Sequence, residues 1–297
     1  MEESLVSIVT ITRNRGNLLK RCVSSVLSQT CKNIEHIVVD GASDDNTDEV
    51  ISTFDDIRLR FVKLDYNWPI KETIDYAVSL CNGKYITFLD SDDEYLPNKI
   101  EKQVQLLDNL SEDYGFVYCW MSYYDSSKNN EFLYTHNPQL SGFVADEVIA
   151  KPIVSGTPTL MFRTEFFRKF GGWRSVEEIG IASDWEMCAR ACQLCKVDYV
   201  AESLVNVYVN HGSVRQSDSK GEYYNNFRER MIIFHKHFLS FFAENFNRRK
   251  DLAAYHYYDI AICYFQLKKY SQFLQYFIKA ICCNPKFVVT KVIKKIL

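Results

Sequence analysis

Short apolar runs alternate with stretches of helical periodicity through the first third of the chain. The runs are rich in β-branched and aromatic residues, as strands are, and they lie at 4–12, 34–39, 57–64 and 85–89. Between them, apolar residues recur at helical spacing over 18–27 and over 71–80, which predicts helices. This alternation predicts a doubly wound α/β domain with a mostly parallel sheet.

The middle of the chain mixes the two patterns, and its end is helical. The pattern predicts helices at 98–110 and 181–195 and a strand at 116–123. It also predicts a loop or hairpin at 124–142 and, at 155–163, a loop that leads into a strand. From Tyr223 onward strand signals are missing. We therefore expect an α/β domain at 1–220 and a helical region at 221–297.

Three carboxylates follow the fourth apolar run. Asp90, Asp92 and Asp93 come directly after residues typical of a strand buried on both faces. Because a charged carboxylate is costly inside a sheet, we expect Asp90 and Asp92 at the carboxyl edge, where open α/β sheets bind ligands. Two such residues can hold Mg²⁺ or Mn²⁺. The alternative is a solvated acidic turn in which Asp93 caps a helix.

Polar residues also follow the first and second strands. Thr12, Arg13 and Asp40 lie where these strands end, so they can converge with Asp90 and Asp92 on one crevice. Asp40 could accept a hydrogen bond from a base, such as uracil N3–H, or it could only close an Asx turn. The G-x-x-x-x-G-K-[ST] and G-x-G-x-x-G motifs are absent, which argues against P-loop and nicotinamide-binding proteins.

Asp184 lies near the start of a predicted helix. The functional interpretation is a general base at the mouth of the crevice. The alternative is a carboxylate that is stabilised by the free N–H groups of the helix N-terminus.

Composition narrows the class of protein. The net charge of −3 provides no basic field, so we expect no nucleic-acid partner. No apolar segment reaches the about 20 residues that span a bilayer. The acidic start at Met1 is not typical of a signal peptide, and ten cysteines without such a signal indicate reduced thiols and a cytoplasmic location. Cys188, Cys192 and Cys195 are interpreted as packed thiols rather than zinc ligands.

Four segments together carry a family resemblance. The segment 7–15 resembles S-I-I-I-P-T-Y-N-R, and 39–47 resembles V-D-D-G-S-T-D-G-T. The segment 83–93 resembles G-E-Y-I-x-F-L-D-A-D-D, and 181–186 with Arg190 resembles E-D-W-D-L-W-L-R. These are motifs of the family 2 inverting glycosyltransferases, and the resemblance covers roughly 4–215. It implies a GT-A fold, with a Rossmann-like, mostly parallel sheet flanked by helices, followed here by a C-terminal helical extension.

The resemblance implies roles for individual residues. Asp184 would be the catalytic base, and Asp92, Asp90 and His211 would bind the metal. The predicted donor-binding residues are Thr12, Arg13, Asp40, Lys71, Asp90, Ser91, Asp92 and Arg215. The sequence signal for Lys71 and Arg215 is weaker than for the others.

Three positions depart from the family pattern. Ile11 replaces a proline, and Ser183 stands where an acid often precedes the base, which leaves Asp184 as the candidate there. Arg13 replaces an aromatic residue that stacks on the base, although a guanidinium can also stack.

The resemblance implies a metal-dependent, inverting transfer of a sugar from a nucleotide-sugar, with UDP-sugars expected, to an acceptor hydroxyl. The implied cofactor is Mn²⁺ or Mg²⁺, and the implied acceptor is a growing cell-surface glycan or a lipid-linked oligosaccharide. Two alternatives stay open at this point: a sugar-phosphate nucleotidyltransferase and a nucleotide-sugar-binding module without activity.

The end of the chain offers two further interpretations. Residues 261–285 resemble one tetratricopeptide unit, which would need to pack on another surface. Residues 286–297 combine lysines with apolar residues and no acid, which predicts peripheral contact with the inner face of a membrane. The alternative is a packed terminal helix with a solvated lysine face.

Overall fold

The computed structural model describes residues 4–154, 156–179, 182–210 and 222–296, with the backbone alone for 176–177, 222–225 and 294–296. The strands are β1 Val6–Thr12, β2 Ile34–Asp40, β3 Leu59–Lys63, β4 Tyr85–Phe88, β5 Glu94–Tyr95, β6 Tyr114–Asp125, β7 Glu131–His136, β8 Met161–Arg163 and β9 Lys196–Val209. The helices are α1 Gly16–Leu27, α2 Thr47–Ser52, α3 Ile70–Ser79, α4 Lys99–Asn109, α5 Ala145–Ala150, α6 Thr164–Phe170, α7 Val176–Ile179, α8 Ser183–Cys192, α9 Glu222–Phe241, α10 Ala243–Arg248, α11 Ala253–Gln266, α12 Tyr270–Cys283 and α13 Pro285–Ile296.

The nine strands of the described residues form one sheet. Its order is β3-β2-β1-β4-β8-β6-β9-β5, and β7 pairs with β6. The half from β3 to β4 is parallel. Beyond it, β8 runs antiparallel to β4 and β6, whereas β6 and β9 are parallel to each other. The predicted α/β class is confirmed, although the second half of the sheet is mixed.

The parallel half is buried on both faces. Every residue of β4 is buried, as are all but one in each of β1 and β2. Helix α1 covers this half with Leu19, Val23 and Val26, which repeat at helical spacing and are fully buried. Such double coverage explains why these strands are continuous apolar runs in the sequence.

The chain divides into two compact units. The sheet unit comprises Met1–Val144, Val154–Trp173 and Arg190–His211. The helical unit comprises Ala145–Ile153, Arg174–Ala189 and Gly212–Leu297. The units interleave along the chain, because two short segments before residue 190 belong to the helical unit. The division into 1–220 and 221–297 stays a prediction.

Two strands were not predicted from the sequence. β9 pairs along most of its length with β6, and β5 adds two residues to its other side. Only three of the fourteen residues of β9 are buried, namely Val197, Leu204 and Val205, so its alternation is weak. Partnering by β6 therefore determines this strand more than its own pattern does.

Candidate functional site

The ends of β1, β2 and β4 are neighbours at one edge of the sheet. Thr12 pairs in register with Asp40, and Val9 pairs with Phe88, so that Asp90 follows β4 beside the end of β1. This arrangement confirms that the strand ends bearing the predicted polar residues come together. The Thr12 hydroxyl is buried and has no hydrogen-bond partner in the described chain, so a ligand could supply one.

The loops after β1 and β2 are joined by hydrogen bonds. The backbone N–H of Asn14 donates to Ser43 Oγ (2.8 Å), and the N–H of Gly16 donates to Asp45 Oδ2 (3.0 Å). A side chain at Gly16 would lie 2.9 Å from the backbone nitrogen of Thr47, so this close approach requires glycine. The two loops together form a rim beside the strand ends.

Asp40 is fully buried at the end of β2. Its carboxylate accepts hydrogen bonds from the backbone N–H of Ser43 (3.0 Å) and from the Ser43 hydroxyl. The Asx-turn alternative therefore describes its contacts in this structure. A role in base recognition stays a prediction.

Asp92 forms an ion pair with an arginine from the first loop. Arg15 Nη1 lies 3.0 Å from Asp92 Oδ2 and 3.4 Å from Ser91 Oγ, and the Asp92 side chain is only 15% exposed. Asp90, in contrast, is exposed. The predicted metal ligand is thus held by a cation of the chain itself, which fixes the position of its carboxylate.

A second arginine, Arg21, contacts the loop that follows β4. Arg21 donates to the backbone carbonyl of Asp92, and its guanidinium lies 3.5 Å from the centre of the Tyr208 ring. The N–H of Tyr208 donates to Asp93 Oδ1 (3.1 Å), and the next helix begins at Lys99 with Asn98 at its N-cap, so Asp93 does not cap it. Burial, and then the charges of Asp90 and Asp92, raise the pKa of Asp93.

The donor set suits a hard divalent cation that shares its coordination with a ligand. Among the described residues, no three His, Cys, Asp or Glu side chains are grouped to hold a metal. Asp92 and Asp90 offer carboxylate oxygens, and Mg²⁺ or Mn²⁺ is commonly held by one or two carboxylates together with phosphate oxygens. The residues present therefore fit such an ion when a diphosphate completes the shell.

Asp184 belongs to the helical unit, where it is the second residue of α8. Its Oδ1 accepts the N–H of Trp185 (2.8 Å), which is the kind of contact that the helix N-terminus alternative predicts. Ala182, just before α8, has φ +55°, a conformation that costs alanine free energy. The role of Asp184 as the base stays a prediction.

Trp185 anchors the start of α8 inside the helical unit. Its ring is 3% exposed and stacks on His256, with 5.4 Å between ring centres and 18° between planes. Its Nε1–H donates to the carbonyl of Val148 (2.6 Å). Phe238 packs against both rings, with its ring centre 5.1 Å from that of His256 and 4.8 Å from that of Trp185. Because Asp184 precedes this tryptophan, these contacts fix the backbone that carries the candidate base.

The remaining predicted residues have varied surroundings. Arg13 is exposed, as a residue that stacks on a ligand can be. Lys71 forms an ion pair with Asp75 one helical turn away. His211 and Arg215 lie outside the described residues.

Sequence reasoning missed Arg15 and Arg21. Arg15 closes the first motif, in which arginine also ends the family pattern, so a signal for it was present. Arg21 lies among the polar residues of α1 and gives no such signal. Its contacts depend on Tyr208, far along the chain.

These features define an α/β protein with the sheet and flanking helices of GT-A glycosyltransferases. The family described as Glycosyl transferase family 2 matches residues 7–171, and the chain belongs to this family. Cys188, Cys192 and Cys195 are buried, as the interpretation of packed thiols predicts.

Curated relatives resemble parts of the chain. An uncharacterized glycosyltransferase of Rickettsia typhi is 27% identical over 209 residues, which cover 69% of this chain and 64% of that protein. Escherichia coli WfgD, a UDP-Glc:alpha-D-GlcNAc-diphosphoundecaprenol beta-1,3-glucosyltransferase, is 35% identical over 117 residues, 39% of this chain and 46% of that protein. The chain thus spans less than two-thirds of the curated relatives it matches.

Two solved structures share the fold. Staphylococcus aureus TarS 1-349 in complex with UDP-GlcNAc has a TM-score of 0.62 and 14% identity, covering 92% of this chain and 90% of that one. The mannosyltransferase PcManGT from Pyrobaculum calidifontis, in complex with GDP-Man and Mn2+, has a TM-score of 0.62 and 15% identity, covering 98% of this chain and 79% of that one.

Proposed function

We propose that this protein transfers a sugar from a UDP-sugar to an acceptor hydroxyl with inversion at the anomeric carbon. The observation that carries the proposal is the meeting of three strand ends, where Thr12, Asp40 and the Asp90–Asp92 segment lie side by side in a member of glycosyl transferase family 2. In open α/β sheets, this edge is where ligands bind.

The donor class follows from the relatives and from the site. The name of WfgD specifies UDP-Glc, and TarS is known in complex with UDP-GlcNAc, which supports a uridine nucleotide here. PcManGT is in complex with GDP-Man, so GDP-sugars are included in the test below. Thr12, Arg13 and Asp40 would contact the nucleoside, and Ser91, Lys71 and Arg215 would lie along the rest of the donor.

A divalent cation completes the proposed donor site. Asp92 and Asp90 would hold Mn²⁺ or Mg²⁺, with His211 as a further ligand; PcManGT provides the precedent of Mn2+ in this fold. When bound, the cation stabilises the negative charge that develops on the leaving diphosphate. Arg15 keeps the Asp92 carboxylate in place and adds positive charge beside it.

Asp184 would perform the proton transfer. Its carboxylate accepts the proton of the acceptor hydroxyl while that oxygen forms a bond to the anomeric carbon. The bond between this carbon and the diphosphate oxygen breaks, and the nucleoside diphosphate leaves with the electron pair. A single displacement inverts the configuration, so an α-linked donor gives a β-glycoside.

The acceptor is proposed from the names of the relatives. WfgD acts on a GlcNAc carried by diphosphoundecaprenol, and we propose a lipid-linked acceptor of this class, used in building a cell-surface polysaccharide. We assign transfer to 1–220 and treat 221–297 as a helical extension. Contact of 286–297 with the cytoplasmic membrane face would suit such an acceptor. The described residues contain no helix long and apolar enough to span a bilayer.

A product assay tests this function. The full chain is incubated with UDP-, GDP- or dTDP-sugars, Mn²⁺, and a synthetic GlcNAc-diphospholipid, and the glycolipid is analysed by mass spectrometry and NMR. We expect a β-glycoside from one UDP-sugar and none with EDTA. Pyrophosphate release from UTP and a sugar 1-phosphate would identify a nucleotidyltransferase instead. Donor binding without transfer to any acceptor would identify a binding module.

A further inference from the structure

The last part of the helical unit has an unusual charge. Residues 260–297 contain seven lysines and no arginine, aspartate or glutamate, although the whole chain carries a net charge of −3. The lysines are distributed over the region and lie at 268, 269, 279, 286, 291, 294 and 295. Lys269 forms an ion pair with Glu229 of α9 (3.4 Å), and the other six lysines belong to a segment without acids, which therefore carries a net positive charge.

Helix α12 exposes a stripe of large apolar side chains. Tyr270, Leu274, Ile278 and Ile281 are 59%, 56%, 50% and 38% exposed. Their spacing places all four on one face of the helix. Phe265 of α11, 51% exposed, extends the stripe, because its ring centre lies 5.9 Å from that of Tyr270. The stripe is thus an apolar surface, which we call the α12 face.

Residues of α12 beside the stripe attach this helix to the rest of the helical unit. Ala280 is fully buried and lies in a cluster with Tyr258 and Val288, and Phe277 packs against the same cluster. The helix already has its packing partners within the unit, so the α12 face is additional apolar surface.

Helix α13 also exposes apolar side chains. Val288 is buried, and Phe287 and Val292 pack against the core cluster, so the helix is docked in the unit. This is the packed-helix alternative of the sequence analysis. Val289 and Ile293 remain 56% and 49% exposed. Exposed apolar side chains therefore lie on both α12 and α13, and their exposure does not require α13 to detach.

We propose that the α12 face, together with Val289 and Ile293, inserts into the headgroup region of an anionic bilayer. The positive region around it matches negatively charged lipid, and exposed apolar side chains contribute by leaving water. A second copy of this chain is the weaker occupant, since an isologous contact would place lysine-rich surfaces against each other. The proposal requires no donor or acceptor.

Vesicle flotation tests the proposal with the full chain. We expect the wild type to float with vesicles of phosphatidylcholine and phosphatidylglycerol, and to float poorly with phosphatidylcholine alone. The variant Leu274→Gln/Ile278→Gln should lower the partition coefficient at least about tenfold, because two apolar side chains no longer enter the bilayer. Lys268→Gln/Lys286→Gln should lower the partition coefficient about fivefold for each lysine that is replaced. Added salt should also lower it, because salt screens the attraction to anionic lipid.

A matched control separates this face from general surface hydrophobicity. Ile57→Gln/Leu133→Gln makes the same kind of change at exposed positions of the sheet unit and should float like the wild type. Circular dichroism checks that each variant is folded. The proposal is overturned if the wild type does not float, or if Leu274→Gln/Ile278→Gln floats equally well. It is also overturned if sedimentation shows a dimer that this variant abolishes, without vesicle binding. Sugar transfer in detergent can persist in each case, so failure here leaves the proposed function intact.

Discussion

The strand ends of the sheet unit and the core of the helical unit differ in how their polar side chains are placed. In the sheet unit, Arg15, Asp92 and Asp90 lie at strand ends, at least partly open to solvent. In the helical unit, His235 and His256 are fully buried, with 3.0 Å between their Nδ1 atoms, in an aromatic core. These strand-end groups of the sheet unit are thus at least partly open to solvent, whereas the two histidines of the helical unit are part of its packed core.

This difference teaches where each kind of defect should appear. A change at the strand ends removes ligand contacts but few core contacts, so it should affect binding more than stability. A change around Trp185 removes core contacts, so it should affect stability first. Asp184 is the exception, because it lies beside the aromatic core but is itself half-buried at the start of α8.

The largest effect is expected for Asp184→Asn, which separates chemistry from packing in the helical unit. The amide oxygen can still accept the N–H of Trp185, so the fold should persist. Loss of a general base lowers turnover by about 10²–10⁴-fold. Turnover is measured as the initial rate of UDP release in the presence of the acceptor. Glu178→Gln, an exposed carboxylate of the same unit, is the control. Turnover of Asp184→Asn at the wild-type rate would show that another group is the base.

Replacement of Trp185 should show how far the helical unit depends on its core. Trp185→Ala should lower the free energy of unfolding by about 3–5 kcal/mol, because a large buried ring is lost. Trp185→Phe should cost about 1–3 kcal/mol, because the carbonyl of Val148 loses its donor. Urea denaturation measures both. Tyr66→Ala, at a 61% exposed ring of the sheet unit, should change little. A Trp185→Phe protein as stable as the wild type would contradict this role.

Lys99 tests the sheet unit, because it is a buried polar group away from the strand ends. Burial lowers its pKa to about 7, and Nζ donates to Thr87 Oγ1 (2.6 Å). Between that value and the unfolded pKa of about 10.4, the unfolded state binds more protons at Lys99, so the contribution of this residue to stability should rise with pH by up to about 1.4 kcal/mol per unit.

The variant Lys99→Met should lack this rise, whereas Lys102→Met on the same helix should keep it. Urea denaturation at several alkaline pH values provides the comparison. If Lys99→Met shows the full wild-type increase, its ammonium group is not the source.

Arg15→Gln should weaken donor binding with little change in stability. The ion pair with Asp92 is partly exposed, so its loss should cost less than about 1 kcal/mol of folding free energy. A charge-assisted contact to a ligand is worth more, and we expect about tenfold weaker UDP binding by calorimetry. Arg60→Gln, exposed on β3, is the control. Unchanged affinity would remove Arg15 from the site.

The smallest effect is expected for Ala42→Gly in the rim of the sheet unit. Ala42 has φ +57°, and the family motif has glycine at this position. Relief of this strain, offset by the entropy of glycine in the unfolded chain, should add up to about 1 kcal/mol of stability. Ala77→Gly, in a helix, should instead destabilise by about 1 kcal/mol. A destabilising Ala42→Gly would show that the alanine methyl group has a packing role.

The sequence predicted the parallel half of the sheet and its polar strand ends, because strand periodicity and chain order are local. It did not predict the pairing of Arg15 with Asp92, which requires loops after two different strands to meet. The surroundings of Trp185 were also missed. Val148, Phe238 and His256 come from three separate segments, and no periodicity relates them. Contacts between distant segments thus account for most of what was not foreseen.

The central claim is that the strand ends of the sheet unit bind the donor, independently of the base. Calorimetric titration of UDP-sugar with Mn²⁺ into Asp92→Asn and Asp184→Asn tests it most directly. We predict that Asp92→Asn loses Mn²⁺-dependent binding and that Asp184→Asn retains the wild-type Kd. Wild-type affinity in Asp92→Asn would contradict the claim.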